Sequence, residues 1–114
     1  MAYTNLEYLT TITDGDKPII REMIEMFLSE ITGHIQNLNE LYRTGQYMAL
    51  GMEAHKIKSS LLIMGMKELA EEMNELQLKT AQKSDPKSYH IHIKKFEIHC
   101  EAAIIELQAE LSSL

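Results

Sequence analysis

The chain has 114 residues, 45% of them apolar, which is the size and hydrophobic content of one domain built around one core. Its formal net charge is -6, and the 11 Lys and Arg are scattered among 17 acids without a basic run, which argues against nucleic acid or an anionic membrane as the main partner. With a single thiol, Cys100, there is no intrachain disulfide framework, and its place in an apolar helical repeat predicts a packed, inert side chain.

The opening residues Met1-Ala2-Tyr3-Thr4-Asn5 lack the basic start and apolar run of a signal peptide, and no stretch nears the about 18 apolar residues of a membrane span. The expectation is a cytoplasmic, monomeric protein forming one domain over residues 1–114. The Met1 start favours a free-standing chain over a piece of a hybrid kinase.

Thr4 followed by Glu7 has the form of a capping box and predicts a short helix over Asn5 to Ile12, with Leu6, Leu9 and Ile12 on its buried side. Asp14-Gly15-Asp16 breaks it. Asp16 is placed to cap the next helix and Pro18 fits its first turn. Ile20, Ile24, Phe27, Ile31, Ile35, Leu38 and Tyr42 then run at helical spacing to Thr44-Gly45, a helix of about seven turns. A third helix starts near Gln46 and closes at Gly65. Leu69, Met73, Leu76 and Thr80 mark the fourth, which fades into Lys83-Ser84-Asp85-Pro86. Asp85 as cap and Pro86 at the first position announce the last helix, striped by Tyr89, Ile93, Phe96, Cys100, Ala103, Leu107 and Leu111. No segment reads as a strand. The fold class expected is all-α: an antiparallel four-helix bundle with a short additional N-terminal helix.

The third helix carries the informative residue. Leu50, Ala54, Ile57 and Leu61 form its buried stripe, and His55 points about 130° away from it. Gly51 and Ser59 lie one turn to either side and are too small to cover the ring, while Lys58 stands beside it at i+3. Counting outward from the turn at Gly65 puts Gln77 at the height of His55 on the antiparallel neighbour, where its amide can reach a ring nitrogen. Met48, Met52 and Leu62 project to the same side as His55, and apolar side chains collaring an exposed histidine predict a docking surface.

These residues resemble a known motif. Ala54-His55-x-x-Lys58-x-Ser60, closed by Gly65, is similar to the Ala-His-x-Leu-Lys-Gly-Ser pattern of histidine phosphotransfer (HPt) domains, and the likeness extends over roughly Thr4 to Leu111. The resemblance implies a helical bundle that relays a phosphoryl group between receiver-domain aspartates. His55 would be the phosphoacceptor, Lys58 the cation supporting the phosphoryl oxygens and Gln77 the partner that orients the imidazole. The chain departs from the pattern at Ser59, where the family has glycine, and at Ile57, where it has leucine. The Ser59 hydroxyl adds a possible phosphoryl contact. Met48, Gly51, Met52 and Leu62 would meet the partner, a receiver domain of a response regulator or hybrid histidine kinase. No cofactor and no metal of its own is implied, because the receiver supplies the ion.

Other chemistries fit less well. The chain has no pair of Glu-x-x-His motifs for a di-iron bundle. Lys56, and not an acid, follows His55, and there is no nucleotide-binding domain, so autophosphorylation is not expected. His34 reads as a packed histidine, and His90 and His92 diverge on their helix. Glu71, Glu72 and Glu75 read as a solvated face, with Glu75 and Lys79 an i, i+4 pair. The competing class is a non-catalytic helical adaptor that binds through Met48, Met52 and Leu62.

Overall fold

A computed structural model describes residues 3–114; Met1 and Ala2, where the segment read for a signal peptide begins, lie outside the described residues. Five α-helices follow in order: α1 (Glu7–Ile12), α2 (Lys17–Arg43), α3 (Tyr47–Ile63), α4 (Lys67–Ala81) and α5 (Tyr89–Ser113), the last preceded by a 3₁₀ turn at Pro86–Ser88. No strand occurs among the described residues, and no helix is long and apolar enough to cross a membrane.

Each long helix buries the stripe its sequence carries. Ile20, Ile24, Phe27, Ile31 and Leu38 of α2 are buried, as are Leu69, Met73, Leu76 and Thr80 of α4 and the α5 row from Tyr89 to Leu107. Short loops force antiparallel neighbours, and the main contacts run α2 to α3, α3 to α4, α4 to α5 and α5 back to α2. That ring sets α3 and α5 on a diagonal, with their outer faces on opposite sides of the bundle.

The helix ends explain the register. Asp16 Oδ1 accepts from the Ile19 N–H at 3.2 Å and caps α2. Past α3, Gly65 takes φ +73°, the Gly65 N–H donates to the Leu62 carbonyl at 3.1 Å and the Met66 N–H to the Leu61 carbonyl at 2.8 Å. This left-handed closure satisfies two end carbonyls and turns the chain straight into α4. A side chain at Gly65 would meet the Asn5 carbonyl at 2.1 Å, so the residues leading into α1 lie directly on the turn.

Three local expectations are corrected. Thr4 does not cap α1: its hydroxyl donates to Glu106 Oε1 at 3.0 Å, tying the N-terminal segment to α5, and the Glu7 N–H is taken by Asn5 Oδ1 at 2.9 Å. Of the α1 apolar residues only Leu9 is buried, while Ile12 is 49% exposed, because the helix is too short to lay a second turn on the core. Asp85 makes no side-chain cap; it sits at φ 50°, and its carbonyl accepts from Ser88 N–H and Oγ at 3.0 and 2.8 Å, winding the 3₁₀ turn that starts α5.

Candidate functional site

Leu50, Ala54, Ile57 and Leu61 are all at 0% exposure, and this fixes the rotation of α3 that turns His55 outward. On α4, burial of Met73, Leu76 and Thr80 leaves Asn74 and Gln77 half-buried along the α3/α4 seam. Each step down α3 is matched by a step back along α4, so His55 meets Gln77 and Lys58 meets Asn74.

His55 Nδ1 lies 3.1 Å from Gln77 Oε1. An amide oxygen can only accept, so Nδ1 carries a proton, and in the neutral ring the lone pair is then on Nε2. That is the tautomer a nitrogen nucleophile needs.

Gly51 is buried where α3 meets α4, although it also lines the groove beside His55. A Cβ there would stand 2.0 Å from Thr80 Oγ1 and 3.1 Å from Thr80 Cβ. The same Thr80 hydroxyl donates back to the Gln77 carbonyl at 2.9 Å. Glycine therefore lets α4 approach α3 one turn before His55, at the level where Gln77 must reach the ring.

The Lys58 ammonium is not at the imidazole. It donates to Asn74 Oδ1 at 3.3 Å, one turn further along the seam. Asn74 was not singled out in the sequence, although the count from Gly65 that finds Gln77 for His55 finds Asn74 for Lys58. Ser59 is exposed and faces a different neighbourhood, the rim of a groove of about 650 Å³ that also takes in Leu62, Gly65 and, from α1, Tyr8. On the other side of His55 a second groove, of about 450 Å³, is walled by Met48, Met52 and Lys56 with Gly51 and Thr80 at its base. Met48, Met52 and Leu62 are 61%, 67% and 46% exposed. The apolar collar is thus two patches with the imidazole between them, and Tyr8, 55% exposed, extends the Leu62 patch.

A family model, the Hpt domain, matches residues 22–114. The chain belongs to the Hpt domain family. The match takes in α3, α4 and α5 whole and leaves α1 and the first turn of α2 outside it. No curated protein and no solved structure matches the chain. Membership makes histidine phosphotransfer in two-component signalling the general function of this Hpt domain, with receiver domains and kinases as the class of partner.

Several other titratable groups of the Hpt domain are engaged in packing. His34 Nδ1 is 2.6 Å from Glu53 Oε1, and Asn37 Nδ2 donates to Glu53 Oε2 at 2.8 Å, so both oxygens of this buried α3 carboxyl are met from α2, with Lys56 Nζ 4.0 Å from Oε2. On α5, His92 Nε2 accepts from Lys79 Nζ at 3.0 Å and Nδ1 donates to Glu72 Oε2 at 2.7 Å, while Lys95 donates to Glu72 Oε1 at 2.8 Å. Two expectations fail here: Glu72 is not on a solvated face, and Lys79 pairs with Ser88 and His92 rather than Glu75. Donor atoms of Glu72, Glu75 and His92 come within 4.8 Å of one another, with Lys79 donating to His92 Nε2 and Lys95 to Glu72 Oε1. Burial pushes the Cys100 thiol up to about 12, in keeping with an inert side chain.

Proposed function

We propose that this Hpt domain, working as one unit over residues 1–114, relays a phosphoryl group between receiver-domain aspartates through His55. The observation that carries the reading is the bond from His55 Nδ1–H to Gln77 Oε1 at 3.1 Å, which in the neutral form of this exposed ring puts the lone pair on Nε2. In the forward step the Nε2 lone pair attacks the phosphorus of the receiver's aspartyl phosphate. An N–P bond forms as the acyl P–O bond breaks, and the aspartate carboxylate leaves with that electron pair. No proton has to move: the ring becomes cationic with Nδ1–H in place, and Gln77 Oε1 accepts from it more strongly than before. A second receiver's aspartate reverses the step.

Lys58, three residues on from His55, supplies a charge for the phosphoryl oxygens once its ammonium leaves Asn74, a neutral acceptor that holds it weakly. Ser59 offers a hydroxyl on the other flank. Met48, Met52 and Leu62 provide the apolar contacts over which a response-regulator or hybrid-kinase receiver docks, and the divalent ion belongs to that receiver. With no base beside His55 and no nucleotide site in this scheme, the chain takes its phosphate only from a partner and is not itself a kinase.

Incubation with a phosphorylated receiver should leave an acid-labile, alkali-stable phosphate on the chain. His55→Gln should abolish it with the unfolding midpoint unchanged. Label surviving in that variant overturns the assignment; stable receiver binding without label in the native chain returns the adaptor reading.

A further inference from the structure

The outer face of α5 carries a line of exposed isoleucines among its charges. Ile91, Ile98 and Ile105 are 57%, 57% and 68% exposed and recur at steps of seven along the line opposite the buried row of Ile93, Phe96, Cys100, Ala103 and Leu107. The three isoleucines span about 21 Å and fill one of the two core positions of a helix-pair heptad, the positions between them being Lys94–Lys95 and Glu101–Ala102.

The charges beside the seam identify the partner. Lys94 and Glu101 lie on one edge of the isoleucine row, seven residues apart, and both are exposed. If the same face of a second copy packs antiparallel, the two-fold axis passes beside Ile98. Ile98 then meets its own copy, Ile91 meets Ile105, and Lys94 of each chain faces Glu101 of the other. A parallel pairing would instead put the Lys94–Glu101 edges of the two helices on opposite sides of the seam, out of each other's reach. We propose that two copies of this chain associate through α5, antiparallel about Ile98, with paired Lys94 and Glu101 contacts, in place of the monomer expected from sequence. This goes beyond the relay and does not depend on it. Because α5 lies diagonally across the bundle from α3, the dimer keeps both His55 faces open to receivers.

Sedimentation equilibrium of the full chain tests this. The native chain should show a reversible monomer–dimer equilibrium. Ile98→Glu, which puts two carboxylates at the axis, should weaken it about a hundredfold or more without lowering the unfolding midpoint. Lys94→Glu should weaken it about tenfold, and Lys94→Glu with Glu101→Lys should restore it. A chain that stays monomeric at every soluble concentration overturns the proposal, as does a dimer indifferent to Ile98→Glu. A charge swap that fails to restore association overturns the antiparallel register. A monomer whose Ile98→Glu variant loses receiver binding gives the face to that partner and overturns self-pairing as well. Labelling of His55 in the Ile98→Glu monomer at the native rate separates failure of the dimer from failure of the relay.

Discussion

A methyl group on Gly51 would stand 2.0 Å from Thr80 Oγ1, the hydroxyl that donates to the carbonyl of Gln77. The spacing between α3 and α4 is therefore set, one turn from His55, by the absence of a side chain. Gly51→Ala should push α4 outward and stretch the Gln77 contact to His55. Overpacking costs about 1–3 kcal/mol, offset by about 1 kcal/mol of helix propensity, so the stability loss should be modest while phosphotransfer falls more than tenfold. Adding Thr80→Ala should recover most of the rate. The ring nitrogen shifts of His55, measured by NMR, check whether the tautomer moves with the rate.

Lys58 and Asn74 make a separable pair of predictions. Lys58→Ala should slow loading of His55 by about tenfold to a hundredfold, since the half-buried cation serves a group that becomes charged in transfer. Asn74→Ala removes only the resting acceptor of the ammonium at 3.3 Å and should leave the loading rate unchanged or faster. Rapid-quench measurement of both variants against one phosphorylated receiver checks the order.

Glu53 is 7% exposed and held by His34 and Asn37 of α2. Glu53→Ala strands both partners and should cost about 1–3 kcal/mol in denaturant unfolding. Glu53→Gln should cost less, because the Asn37 amide can flip to present its oxygen.

Two carboxylates predict the acid limb of stability. Burial acts to raise Glu72, but the hydrogen bonds from Lys95 and His92 outweigh it and hold the carboxyl below its usual 4.5. Glu106 is lowered in the same way: burial opposes, and the Tyr3 and Thr4 N–H groups with the Thr4 hydroxyl prevail. A folded value below the unfolded one means their stabilisation is complete above about 4.5 and is lost as pH falls through the folded values. Unfolding midpoints followed from neutral pH downward should drop below that point, and Glu72→Gln should flatten the drop.

Much of this was legible in the residues. Helical spacing alone placed every buried residue of α2 and α4 named in advance except Ile35 and Tyr42, which are half-buried near the end of α2. The left-handed glycine at 65 fixed a short antiparallel turn, and a rise that is constant along a helix carried that register out to His55 and Gln77. Charged residues were harder to read, because a long side chain can serve any of several neighbours at similar distance. Lys58, Lys79 and Glu72 each found a partner on another helix or turn that no spacing along their own helix marks.

The sequence by itself determined which face of each helix is buried, where the chain turns and at what height the imidazole and its amide meet, because period, caps and rise are local properties of the backbone. Only the tertiary structure decided how closely the helices approach. That distance is set by side chains meeting across a gap, so it made Gly51 the contact with Thr80, drew Glu53 inside and left the isoleucines of α5 facing outward.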